Sequence, residues 1–76
     1  MSATRLVRAN RLVVGDVIEW AGRRCRISAR RTLGDKFVDF LLEPIDPSEH
    51  VPDAWMGYRL DEQVGCYVAS VEGETL

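Results

Sequence analysis

Seventy-six residues, 46% of them hydrophobic and 29% charged, allow one small domain with a modest core and exclude a disordered chain. The formal net charge of −2 hides a split: residues 1–31 hold eight arginines against Asp16 and Glu19, a balance of +6, whereas residues 32–76 hold Lys36 and Arg59 against ten carboxylates, a balance of −8. No stretch approaches the roughly 20 apolar residues of a membrane span and the N-terminus lacks a signal-peptide pattern, so a cytoplasmic protein without membrane contact is expected.

Glycine and proline punctuate the chain about every ten positions, the spacing of short strands. Thr4 to Ala9 is a candidate strand, although Leu6, Val7, Arg8 and Arg11 also fit a short amphipathic helix over residues 4–13 docked on a four-stranded sheet. Residues 9–16 form a tight connection in which Gly15 supplies an unusual backbone angle and Asp16 binds backbone amides. Val17 to Trp20 is the next strand. The short turn Ala21-Gly22 then sets Trp20 opposite Arg23, Glu19 opposite Arg24 and Ile18 opposite Cys25.

The strand Arg24 to Arg31 alternates, with Cys25, Ile27 and Ala29 on one face and Arg24, Arg26, Ser28 and Arg30 on the other. A turn around Leu33, Gly34 and Asp35 returns the chain into a strand whose Val38, Phe40 and Leu42 complete the inner face. Phe37, Asp39, Leu41 and Glu43 then point outward, with Arg24 or Arg26 across from Glu43 and Arg30 near Asp39. Residues 44–54 contain all three prolines and three carboxylates and form the longest loop, of the length that is often functional or flexible. Residues 55–60 and 64–71 read as the last strands, and residues 73–76 as a frayed tail. Residues 1–76 thus form a single mainly β domain, a small five-stranded antiparallel SH3-like barrel or rolled sheet.

Residues 9–43, opening on AlaAsnArgLeuValValGlyAspValIleGluTrp, resemble the first hairpin of small KOW and SH3-like barrels, among them the N-terminal domain of translation elongation factor P. That resemblance implies a small β-barrel. Its modified-lysine loop, basic and glycine-rich, has no counterpart here, because the corresponding turn is ThrLeuGlyAspLys with the single Lys36. Self-splicing Hint domains use a similar phrase, but their nucleophile and terminal histidine and asparagine are missing.

Candidate chemistry is sparse. His50 is the only histidine and lies in the proline-rich loop without a nucleophile at motif spacing. Asp46, Glu49 and Asp53 match no cation loop, since prolines separate them. Cys25 and Cys66 have neither zinc nor disulfide spacing and read as buried reduced thiols. No catalytic residue, metal or cofactor is expected.

Two non-enzymatic readings remain. In the first, Arg24, Arg26, Arg30, Phe37 and Leu41 form a protein-binding surface for a protein partner or a second copy of the chain, as suits a regulatory or accessory factor such as one encoded by a bacteriophage or mobile element. In the second, Arg24, Arg26 and Arg30 bind single-stranded DNA or RNA with Trp20 as a stacking platform. Glu19, Asp39 and Glu43 on the same face oppose a phosphate backbone, and make nucleic acid the lesser alternative.

Overall fold

Six strands follow in chain order in the computed structural model, which describes residues 4–67: β1 (Thr4–Arg8), β2 (Val17–Trp20), β3 (Arg23–Leu33), β4 (Phe37–Pro44), β5 (Met56–Arg59) and β6 (Gln63–Tyr67). They form one antiparallel sheet in the order β1-β6-β2-β3-β4-β5. Strands β2 to β5 are a meander, and β6 returns across it to pair with β2. The frayed tail expected at 73–76, and the end of the last strand beyond Tyr67, lie outside the described residues.

Between the two readings of the N-terminal segment, the strand prevails. Thr4–Arg8 runs in register with Gln63–Tyr67 and covers an edge that β6 would otherwise expose, which raises the strand count from five to six. The chain then tightens into a 3-10 turn at Ala9–Arg11. That turn ties the two ends of the sheet together: the Ala9 and Asn10 amides donate to the Glu62 and Leu60 carbonyls at 2.8 and 3.0 Å, and the Leu60 amide donates to the Lys36 carbonyl at 2.9 Å. The sheet is therefore rolled, with β1 and β5 as its edges.

Inside the roll, Ile18, Cys25, Ile27, Val38 and Phe40 are fully buried. Leu12 from the connection and Val51 from the long loop plug the remaining space. The β2–β3 hairpin has the register expected from its turn. Ala21 (φ 51°) and Gly22 (φ 76°) both take left-handed angles, the type I′ geometry whose twist matches the strands.

One irregularity reorganises β3. Ile27 pairs with Leu42 but Ala29 pairs with Leu41, so Ser28 is an extra residue in a β-bulge, its hydroxyl donating to the Leu41 carbonyl at 3.1 Å. The 13–16 turn docks beside it, with the Gly15 amide on the Ile27 carbonyl and the Ile27 amide on the Asp16 carbonyl, both at 2.9 Å. A bulge shifts alternation by one. Ala29 therefore joins the outer face rather than the inner one, Arg30 falls opposite Phe40 on the inner side of the sheet, and Arg31 replaces it opposite Asp39.

Candidate functional site

The outer face of β3, β4 and β5 can be read as successive cross-strand rows. At the hairpin tip, Leu33 pairs with Phe37, which pairs in turn with Arg59. Leu33 and Phe37 are 45% and 48% exposed, and this decides their interest: two large apolar side chains sit together with half their surface in water. The three-residue turn 34–36, opened by Gly34 at φ 66°, holds them side by side.

The next row is Arg31, Asp39 and Gly57. Asp39 is the one buried charged residue among the described residues, at 6% exposure. A buried carboxylate requires a paired charge or several donors. Arg31 provides both, its Nε and a terminal nitrogen lying 3.2 and 3.1 Å from the same carboxylate oxygen. The guanidinium also lies over Trp55, with its carbon 4.2 Å from the indole centroid. Position 57 is close-packed, since a Cβ there would stand 3.2 Å from the other Asp39 oxygen, which would have to give by a few tenths of an ångström.

Beyond lie Ala29 with half-buried Leu41, then, past the bulge, Arg26 with Glu43 at 3.7 Å. Arg24 faces Glu19 in the register and places its guanidinium 4.8 Å from the Tyr67 ring centroid. The face is consequently mixed in charge, and most of its arginines already have a partner.

Of the residues that the sequence singled out, Arg24, Arg26, Phe37 and Leu41 share this face. Arg30 does not, because the Ser28 bulge turns it to the other side, opposite Phe40. Trp20 does not either: it shares the inner face with buried Ile18, packs half-buried against the core and lies with its ring centroid 5.8 Å from the Arg23 guanidinium, away from Arg24 and Arg26. The aromatic groups that do meet the arginine face are Tyr67 and Trp55. Each comes from an element distant in sequence, so local pattern gave no pointer to them.

The long loop is anchored at several points. Arg23 donates to the His50 carbonyl at 2.9 Å, Val51 is buried, and Asp46 accepts bonds from the Ser48 amide (3.0 Å) and hydroxyl (2.8 Å), which hold its carboxyl below the usual carboxylate range. Among the described residues, no group of three or more His, Cys, Asp or Glu is gathered to hold a metal ion. Cys25 and Cys66 are buried free thiols, each pushed up from its ordinary value chiefly by burial. Ile18 lies between them in the register, so two interstrand steps of about 4.8 Å separate their backbones, beyond the roughly 7 Å limit for a disulfide.

Fold and site together define a small rolled antiparallel β protein with a mixed apolar and arginine-rich outer face. Comparison with protein-family models, with curated proteins and with solved structures finds no match to this chain.

Proposed function

We propose that this chain is a non-enzymatic protein-interaction module that docks through the outer face of its β3–β4 hairpin. The observation that carries the reading is the exposed Leu33 and Phe37 pair beside the fixed stack of Trp55, Arg31 and Asp39. Aromatic and arginine side chains presented rigidly lose little conformational freedom on binding, which is why they concentrate the energy of protein interfaces. Leu41, Arg24 and Arg26 extend the surface toward a polar rim. The likeness of residues 9–43 to small KOW and SH3-like barrels agrees with a compact docking unit. A strand-binding role for the same hairpin draws less support, because Arg26 is paired with Glu43, Arg24 covers Tyr67 and Arg30 lies on the other face.

The test is photo-crosslinking in the cell of origin with a benzophenone amino acid at position 37, and at position 45 as a control. Exposed Ile45 lies outside the hairpin. The reading predicts a discrete adduct from position 37 only, with a second copy of the chain or with another protein, distinguished by mass. Equal adducts from both positions, or none from position 37, would sink it.

A further inference from the structure

Besides β1 and β5, the sheet has a third free edge, along the second half of β3. Strand β2 pairs with β3 only as far as Arg26, and the 13–16 turn takes both backbone groups of Ile27. Past the Ser28 bulge, residues 29–33 pair with β4 alone. The alternation of an antiparallel ladder fixes where their backbone groups point. The Leu60 amide donates to the Lys36 carbonyl, so Val38 and Phe40 bond toward β5, while Phe37, Asp39 and Leu41 bond toward Leu33, Arg31 and Ala29. The N–H and C=O groups of Arg30 and Thr32 therefore point away from β4, and no backbone among the described residues pairs with them. Strand β5 is blunted in a way that this edge is not: the Glu62 carboxylate accepts the Arg59 amide at 3.1 Å and the Glu62 amide donates to the Arg59 carbonyl at 3.0 Å.

We propose that an extended segment of another protein, acidic at its centre, adds to this edge as an antiparallel strand. The outward groups of Arg30 and Thr32 supply the backbone pairing. Arg30 supplies the selectivity: it is exposed, makes no ion pair among the described residues, and would have the residue opposite it on the same side of the sheet at about 5.5 Å between Cα atoms. A carboxylate side chain is favoured at that place. A second copy of the chain fits poorly, because the two-fold registers that engage both Arg30 and Thr32 set Arg30 against Arg30 or Arg31 against Arg31, and like charges directly opposite oppose pairing. Exposed Val13 and Val14 stand at the bulge end, where their turn is bonded to Ile27, so an apolar residue is favoured on the C-terminal side of the acid. The proposal rests on the β3 backbone edge and on Arg30, neither of which belongs to the docking face, and either reading stands if the other fails.

Fluorescence anisotropy with the full chain tests this, using a short labelled peptide of alternating threonine and valine that carries one central glutamate and a C-terminal leucine. The parent should bind it with micromolar to sub-millimolar affinity. Thr32→Pro removes an amide that has no partner in the fold, a position where an edge strand tolerates proline, and should weaken binding at least about tenfold. Leu6→Pro removes an amide that faces outward on β1, since Ala9 bonds to Glu62 and Val7 follows it toward β6, and should stay within about twofold of the parent. N-methylation of the peptide's glutamate amide, which meets the Arg30 carbonyl, should cost at least about tenfold, and N-methylation of the next residue, whose amide faces away, no more than about threefold. Lysine in place of the peptide's glutamate should weaken binding about fivefold, and Arg30→Glu should reverse that preference. The peptide series and the charge exchange decide the matter should Thr32→Pro lose its circular dichroism. Absence of binding to the parent, equal loss with both N-methyl peptides, loss in folded Leu6→Pro but not in folded Thr32→Pro, indifference to the charge exchange, or a dimer of the chain that Thr32→Pro dissociates would each overturn the proposal.

Discussion

Replacing Arg31 with alanine tests the stack at the centre of the outer face. The Asp39 side chain is 9% exposed and that of Arg31 is 49%, so the pair stands between two limits. Exposed ion pairs contribute about 0–1 kcal/mol, while removing one partner of a fully buried pair costs about 3–5 kcal/mol. With one partner buried and the other half in water, Arg31→Ala should cost about 2 kcal/mol, most of it from the carboxylate left without its cation. A chain of this length has a total stability of roughly 4–11 kcal/mol, so the loss is a large share and should lower Tm by roughly 8–16 °C. Asp39→Ala should cost less, about 1 kcal/mol, because a half-exposed guanidinium can be hydrated. The double variant should recover about 1 kcal/mol relative to the sum of the singles. Urea unfolding followed by tryptophan fluorescence measures all three, and Arg31→Ala should also change the Trp55 contribution to the native emission. A cost below about 0.5 kcal/mol for Arg31→Ala, or strict additivity in the cycle, would refute the stack as an energetic unit.

Three further outcomes follow from the same geometry. Gly57→Ala should destabilise by about 1 kcal/mol in the same assay, since its Cβ would stand 3.2 Å from Asp39 Oδ1 while Arg31 holds the carboxylate through Oδ2, so the carboxylate has to give by a few tenths of an ångström. Ala21→Asn should stabilise by about 0.5–1 kcal/mol, because alanine pays a left-handed penalty at φ 51° that asparagine largely avoids; a loss would contradict the type I′ turn. In alkali, stability should fall. Burial raises Cys25 and Cys66 above their ordinary 9.0 and Tyr58 above 10.0, so the folded state retains protons that the unfolded state releases. The stabilisation is complete below pH 9.0 and is lost as pH climbs through the raised folded values, which urea midpoints on either side of pH 9.0 would show.

The parts of the fold legible in the sequence are those governed by local rules. Two turn residues, Ala21 and Gly22, fix the β2–β3 register pair by pair, and the alternation of Val38, Phe40 and Leu42 identifies the inner face of β4. The bulge was illegible because Ser28 carries no local mark: it is neither glycine nor proline, and only the competing demands of β4 and the 13–16 turn create it. That one residue exchanges the roles of Arg30 and Arg31. Similarly, Phe37 and Leu41 could be placed outward from their own strand, whereas Trp55 and Tyr67 become part of the face only through contact with arginines distant in sequence. Charge along the chain also misled, since Arg24, Arg26 and Arg31 of the arginine-rich hairpin already hold a ring or a carboxylate.

The most direct test of the docking face uses Leu33→Glu/Phe37→Glu, made in the full chain and checked for folding by circular dichroism and urea unfolding. Both side chains are half exposed at a hairpin tip, so stability should change by no more than about 0.5 kcal/mol. With the parent protein and this variant immobilised at equal density, the partner that crosslinks to position 37, or the second copy if the adduct is a dimer, should bind the parent and be lost on the folded variant. Undiminished binding to the variant would contradict the assignment of this face.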